Sequence, residues 1–225
     1  MPPMDNPLVG AETFYTLVVI AVCLAIYLKT RRMYKLTYHQ GLFYFSNAFL
    51  FFALSFLSRF FLRFRFPPEA IPAERMIFSF GYLLFFYTGV VAAFMLLYST
   101  MWKKTAKPTM RPLYNILFLA LLTSLIATIA LPFPPAFVAF MGIIFVGSSA
   151  LSYLNYKKSE TKDRLLGLYT VYALLFLAFV ANAISHFAIF ISPDIAIFMY
   201  VLSIAAFLAQ LYLVFSSSKS KKKGR

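Results

Sequence analysis

The sequence predicts an all-α, polytopic membrane protein with seven transmembrane helices, and three observations lead to this prediction. Hydrophobic residues make up 62% of the 225 residues and only 12% are charged, whereas about 25% of the residues of a soluble domain are charged. The apolar residues are concentrated in seven long runs, and Lys and Arg collect in the segments on one side of the predicted membrane. We therefore expect a single transmembrane bundle over 1–225, with a basic tail at 216–225.

Each apolar run is long enough to cross a bilayer, since a spanning helix needs about 20 residues to traverse about 30 Å of hydrocarbon. Backbone amides in lipid must be paired within the protein, which favours helices over open strands. The predicted helices cover 8–28, 42–62, 76–98, 113–131, 136–154, 165–191 and 195–215.

Proline separates several of these runs. The segment Leu-Pro-Phe-Pro-Pro at 131–135 predicts a tight turn between the fourth and fifth helices, because proline has no amide proton to donate. Ser192-Pro193-Asp194 has the pattern of an N-cap followed by proline at the first helical position, so we expect the seventh helix to begin there. Further prolines interrupt the chain after the second run and before the fourth: Pro67, Pro68, Pro72, Pro108 and Pro112.

The distribution of basic residues predicts the orientation. Seventeen Lys and Arg residues lie in 29–40, 99–112, 155–164 and the tail, and four lie in the segments on the other side. Basic residues near helix ends stay in the cytoplasm, so we expect a cell-membrane protein with an extracellular N-terminus and a cytoplasmic C-terminus. The first residues contain Asp5 and no basic residue, which predicts a retained helix rather than a secretory signal. The net charge of +14 therefore indicates topology and contact with membrane lipids, not nucleic-acid binding.

Short sequence matches recur at one separation. Tyr27-Leu28 matches Tyr153-Leu154, and Gly41-Leu42-Phe43 matches Gly167-Leu168-Tyr169, both 126 residues apart. Helices one to three would then repeat as five to seven in the same orientation, with the fourth helix as a linker, which is a parallel repeat. Chance matches are the alternative, because Phe and Leu are common in every run.

This three-plus-one-plus-three plan resembles microbial rhodopsins and the PQ-loop and SWEET proteins. The stretch His39-Gln-Gly-Leu-Phe-Tyr-Phe-Ser-Asn-Ala-Phe-Leu-Phe-Phe-Ala-Leu also resembles uncharacterised archaeal seven-helix membrane proteins, which implies no known function. The functional motifs of the named families are missing from this sequence. The seventh run lacks the retinal-binding lysine of rhodopsins, the third run lacks their carboxylates, and the PQ dipeptide occurs nowhere.

Asp, Glu and Lys are missing from the middle of every predicted span. Ionisable groups at that depth mark proton and ion pathways, so their absence disfavours a carboxylate-based pump. The two histidines, His39 and His186, are expected at opposite membrane faces, where they cannot share a metal ion. Cys23 lies in an apolar run and is interpreted as a small buried side chain. We expect no catalytic constellation, no metal and no cofactor, and therefore not an enzyme.

Neutral polar residues recur on single faces of several predicted helices, because spacings of three and four residues return to one side of a helix. One interpretation is interhelical packing, in which small and polar residues are enriched. The other is a polar cavity that opens to the outside and binds a ligand. The candidate ligand-binding residues of this kind are Asn47, Ser55, Tyr82, Tyr172, Asn182 and Gln210.

The predicted outer end of the bundle is the more specific candidate for a functional site. Arg59 lies in an apolar helix, where desolvation requires a partner, and Glu12 at the same end is the predicted ion-pair partner. One interpretation is a structural ion pair, and the other is a vestibule in which guanidinium groups bind a carboxylate or phosphate in bidentate fashion. The same end is expected to hold Arg63 in the ion-pair cluster, His186 as a ligand-binding residue, and Glu69 or Glu74 behind them.

Three functional hypotheses follow. The first is a receptor-like or sensor-like bundle that binds a small or lipidic ligand from the outer side and contacts a cytoplasmic or membrane partner through its basic inner loops. The second is a facilitative transporter of a small solute. The third is a structural or partner subunit of a membrane complex.

Overall fold

The computed structural model describes residues 7–63, 72–101, 111–129, 134–157, 162–188 and 191–216. Seven α-helices account for nearly all of these residues, and each is long and apolar enough to cross a membrane. The predicted all-α fold with seven spanning helices is therefore confirmed, and the length and composition of the helices indicate a multi-pass membrane protein. The helices are α1 (Pro7–Thr37), α2 (Gln40–Arg63), α3 (Pro72–Met101), α4 (Arg111–Ile129), α5 (Pro134–Lys157), α6 (Lys162–Ala188) and α7 (Pro193–Ser216).

Helix α1 extends well beyond the apolar run that predicts it. It continues past Leu28 to Thr37, so Lys29, Arg31 and Lys35 lie on the helix rather than in a loop. Lys and Arg are good helix formers, and their charge is favourable near the C-terminal end of a helix. The hydrocarbon thickness therefore limits the apolar run but not the helix.

The turn between α1 and α2 is described in full, and the connection between α6 and α7 is described at residues 191–192. The turn between α1 and α2 contains Tyr38 in the left-handed region, with a φ of 51°, and the backbone amide of His39 donates to the Thr37 hydroxyl. Helix α7 begins at Pro193 directly after Ser192, as the capping pattern predicts. The prolines at 67, 68 and 108 and most of the predicted turn at 131–135 lie outside the described residues.

Six helices form a closed ring. Each contacts its neighbours in the order α1, α2, α3, α5, α6, α7 and back to α1, while α4 packs mainly against α3 and is the least buried of the seven. The triplet α1–α3 and the triplet α5–α7 therefore have equivalent neighbours around the ring. The internal repeat itself stays a prediction.

Aromatic side chains fill the interior of the ring about halfway along the bundle. Phe145 of α5 stacks on Phe52 of α2 and on Phe179 of α6, with ring centroids 5.9 and 4.7 Å apart. Phe45 of α2 also contacts Tyr172 of α6 at 6.0 Å. Because α2 and α6 lie opposite each other in the ring, these contacts close its interior.

Helices α2 and α3 pack closely through small side chains, as spanning helices often do. A Cβ atom at Gly89 would lie 3.3 Å from the Ser55 hydroxyl oxygen, and that hydroxyl donates to the Phe85 carbonyl at 3.2 Å. We call the end of the ring where α1 and α7 begin the first end, and the end that carries Lys29, Arg31 and Lys35 the second end. The sequence predicts that the first end is extracellular, and this orientation stays a prediction.

Candidate functional site

Arg59 is the centre of a charged cluster at the first end. Its Nη2 donates to Oε1 of Glu12 at 2.8 Å, and its Nη1 donates to Oδ1 of Asn182 at 3.1 Å. The guanidinium therefore connects α2 to α1 and to α6. The side chain of Arg59 is 17% exposed and that of Glu12 is 8% exposed, so both charged groups are largely buried. We call Arg59, Glu12 and Asn182 the Arg59 cluster.

The helix registers bring these side chains to one level. Glu12 lies in the second turn of α1, Arg59 lies one turn before the end of α2, and the two helices run antiparallel. A charge in a low-dielectric interior needs a partner, and removing one member of a buried ion pair costs about 3–5 kcal/mol. The Arg59 cluster is therefore a link that holds three helices together.

A second polar layer lies one helical turn below the Arg59 cluster. The hydroxyl groups of Tyr15 and Ser203 are hydrogen-bonded at 3.1 Å, and the Ser203 hydroxyl donates to the Ala178 carbonyl at 3.2 Å. The Tyr15 ring stacks on Tyr200 with centroids 4.8 Å apart and meets the edge of Phe56 at 5.9 Å. This layer joins α1, α6 and α7. The sequence prediction missed Tyr15, although its position three residues after Glu12 places it on the same helical face.

The other candidate ligand-binding residues lie in separate parts of the structure and do not form one site. Ser55 belongs to the α2–α3 contact, away from the Arg59 cluster. Tyr82 is 39% exposed on α3. Asn47 is partly buried on α2, about three turns from Arg59. A shared helical face therefore does not produce a shared site.

Tyr172 belongs to the second half of the bundle. Its hydroxyl is hydrogen-bonded to the Ser99 hydroxyl of α3, and its carbonyl accepts a hydrogen bond from Ser149 of α5 at 3.1 Å. Gln210 of α7 is fully buried, and its amide nitrogen and oxygen have no hydrogen-bond partner among the described residues. Neither side chain contacts the Arg59 cluster directly.

The remaining predicted members of the outer cluster are not described by the structure. Glu69 lies in the gap at 64–71, and the side chains of Arg63, Glu74 and His186 lie outside the described residues. Their predicted places beside Arg59 stay predictions.

The members of the Arg59 cluster are held together by charge and hydrogen bonds. Within the described chain, no group of three His, Cys, Asp or Glu residues could hold a metal ion. A free guanidinium binds carboxylate or phosphate in bidentate fashion, but both terminal nitrogens of Arg59 already donate to Glu12 and Asn182. An anion that takes both terminal nitrogens in bidentate fashion would therefore compete with one of these two partners.

The fold defines the class of protein, a seven-helix membrane protein, and comparisons with known proteins add a relative of unknown function. An uncharacterised protein of Archaeoglobus fulgidus is 27% identical over 223 residues, which cover 95% of this chain and 96% of the archaeal protein. No protein-family model and no solved structure matches the chain. The similarity to an uncharacterised archaeal protein thus extends over nearly the whole chain, whereas the resemblance to rhodopsins and PQ-loop proteins is unconfirmed.

Proposed function

We propose that this protein is a receptor-like or sensor-like membrane protein that binds a small or lipidic ligand through a carboxylate or phosphate group. The ligand binds at the Arg59 cluster and enters from the first end, which is extracellular in the predicted orientation. One observation carries this proposal: Arg59 joins three helices at one end of a ring whose interior is filled with aromatic side chains.

A site that a ligand can reach from only one side of the bundle favours a binding protein over a transporter. Seven residues of α2 separate Arg59 from Phe52, which corresponds to a rise of about 10 Å. A ligand that reaches Arg59 from the first end would stop above Phe145, which contacts Phe52 across the ring and Phe179 of α6. A receptor needs such a one-sided site, whereas a transporter needs access from both sides.

Ligand binding at this site changes the contacts between helices. An anion that replaces Glu12 on the guanidinium releases α1 from α2, and one that replaces Asn182 releases α6. The ligand shifts this equilibrium only by the difference in its affinity for the linked and the released arrangement. The released helix then alters the second end, where the basic segments offer a surface to a cytoplasmic or membrane partner.

The proposal is tested by thermal unfolding of the purified full-length chain with acetate, succinate, inorganic phosphate or glycerol 1-phosphate, against chloride at equal ionic strength. A ligand at a hundred times its Kd stabilises the folded state by about 2.7 kcal/mol. We expect at least one probe to stabilise the parent protein but not the double variant Glu12→Gln/Arg59→Gln. That variant removes both charges of the Arg59–Glu12 pair together, so neither member of the pair is left alone. Equal stabilisation of the double variant, or no stabilisation of the parent by any probe, would overturn the proposal.

The single substitution Glu12→Gln is expected to strengthen binding of the probe rather than to abolish it. Glu12→Gln removes the competing carboxylate, so we expect the same probe to bind about tenfold more tightly, which corresponds to about 1.4 kcal/mol. Ser55→Ala is the matched control, because it deletes an interhelical hydrogen bond of the same helix without touching Arg59. Tighter binding in both variants would indicate a general loosening of α2 rather than competition for Arg59.

A facilitative transporter of a small solute is the alternative. The equivalent neighbours of the two helix triplets favour it, because several transporters are built from parallel repeats. The buried amide of Gln210 also offers a hydrogen-bonding group inside the bundle. Flux of glycerol or a monosaccharide into proteoliposomes that is abolished by Asn47→Leu or Asn182→Leu would support the transporter. Probe binding without flux would support the receptor.

A further inference from the structure

Arg31 at the second end is held in a different way from Arg59. Its guanidinium carbon lies 5.5 Å from the ring centroid of Tyr34 and 5.5 Å from that of Phe43. Tyr34 lies three residues further along α1, and Phe43 belongs to α2, so the cation occupies the corner between these helices. Among the described residues Arg31 has no carboxylate partner, and its buried Nη1 donates no hydrogen bond there.

The ring contacts fix the guanidinium but leave donors unused. Aromatic faces attract the cation through their π-electrons, whereas the N–H groups point outward in the guanidinium plane. With Nη1 buried, Nε and Nη2 remain as the pair of donors that suits two oxygens of one phosphate. Arg is the side chain best suited to such planar, bidentate recognition.

The depth of Arg31 matches that of a lipid headgroup. Nineteen residues of α1 separate it from Glu12, which corresponds to a rise of about 29 Å, and the hydrocarbon core is about 30 Å thick. If the Arg59 cluster lies near one surface of the membrane, Arg31 lies near the other. Lys35, which is exposed one turn further along the same face of α1, adds a second positive charge.

An apolar stripe continues from Arg31 toward the middle of the membrane. Leu28 and Leu24 lie three and seven residues before Arg31, on the same face of α1, and they are 59% and 39% exposed. A cation above exposed leucines matches the two parts of a phospholipid, a charged phosphate and an acyl or isoprenoid chain. A soluble phosphate compound would use only the cation.

We propose that Arg31 and Lys35 form a binding site for the phosphate of an anionic membrane lipid, whose chain lies along Leu28 and Leu24. The site joins α1 to α2 at the end opposite the Arg59 cluster. It is independent of the proposed ligand site.

The test is native mass spectrometry of the full-length protein in detergent with phosphatidylglycerol or phosphatidylcholine added. Arg32 supplies a matched control, because it is exposed and adjacent but is held by no aromatic ring in the described residues. We expect Arg31→Gln to weaken the first phosphatidylglycerol site about tenfold, as for loss of a charge-assisted bidentate contact, and Arg32→Gln to weaken it about threefold or less, as for one exposed charge. We expect Arg31→Lys to resemble Arg31→Gln, because it keeps the charge but loses the planar fork.

Three results would overturn the proposal. Equal losses in Arg31→Gln and Arg32→Gln would indicate a diffuse positive surface. Equal retention of phosphatidylcholine and phosphatidylglycerol by the parent would show that the headgroup charge is not recognised. Full displacement of the lipid by millimolar glycerol 1-phosphate would indicate a site for soluble phosphate instead. Size-exclusion elution at the parent volume confirms that each variant is folded.

Discussion

Arg59 and Arg31 carry the same side chain but stabilise their helices by different interactions. Arg59 donates to a carboxylate of α1 and an amide of α6, so both of its terminal nitrogens are engaged inside the bundle. Arg31 lies against two aromatic rings, which attract its charge but accept none of its in-plane hydrogen bonds. An external anion must displace the acid from an arginine that already has one, whereas an arginine held by rings has no such competitor among the described residues.

This difference also explains the two kinds of ligand that we propose. At the first end an anion must compete with Glu12 and Asn182, so its binding is coupled to a change in helix contacts. At the second end a lipid phosphate adds to an existing arrangement and competes with no carboxylate of the described residues. The first end is therefore suited to a signal and the second end to anchoring in the membrane.

The largest expected effect comes from Arg59→Leu. The substitution deprives the buried carboxylate of Glu12 of the Arg59 charge, and we expect a loss of about 3–5 kcal/mol in the free energy of unfolding. Unfolding in mixed micelles of increasing SDS fraction measures this loss. The double variant Glu12→Gln/Arg59→Gln should recover most of it. If the double variant is as unstable as Arg59→Leu, the ion pair does not determine the stability of the first end.

Gln210→Met should have a smaller effect of the opposite sign. An amide that is buried without hydrogen-bond partners costs about 1–3 kcal/mol, and methionine fills a similar volume without polar atoms in its amide position. We therefore expect the variant to be more stable by about 1–2 kcal/mol in the same SDS titration. Ser203→Ala on the same face of α7 is the control, because it removes hydrogen bonds that are made and should destabilise the protein. A loss of stability in Gln210→Met would indicate that the amide is hydrogen-bonded in the membrane.

The sequence predicts some of these features much better than others. Seven spans follow from hydropathy, because about 20 apolar residues have few alternatives to crossing a membrane. The contact between Arg59 and Glu12 is also within reach of sequence reasoning, since an arginine in an apolar helix needs an acid and Glu12 lies at the same end. Both predictions follow from the properties of the lipid bilayer as a solvent and do not require knowledge of how the side chains pack.

The candidate ligand-binding residues show what hydropathy and helix periodicity cannot predict, which is the neighbour that each helical face contacts. Ser55 and Tyr172 lie on polar faces of their helices, but these side chains contact two different places on α3, at Phe85 and at Ser99, rather than a shared cavity. Which helices become neighbours depends on side-chain packing around the whole ring, which hydropathy does not encode. The apolar run also places Arg31 outside the first helix for a related reason: the run ends at Leu28, but α1 does not.

Arg31→Leu should destabilise the protein much less than Arg59→Leu. The substitution removes two ring contacts, each worth about 0.5–1 kcal/mol, and leaves no buried ion behind. We expect a loss of about 1–2 kcal/mol in the SDS titration and almost no change for Arg32→Leu. A loss as large as that of Arg59→Leu would remove the distinction between the two ends and would imply that Arg31 has an ionic partner in the membrane.

The smallest expected effect is that of Tyr15→Phe, directly below the Arg59 cluster. The variant keeps the ring that stacks on Tyr200 and loses the hydrogen bond to Ser203. Hydrogen bonds between spanning helices contribute about 0.6 kcal/mol on average, so we expect a loss of that size in the SDS titration. A loss of 2 kcal/mol or more would mean that the Tyr15 layer and the Arg59 cluster act as one network. In that case α7 would take part in the response to a ligand, together with α1 and α6.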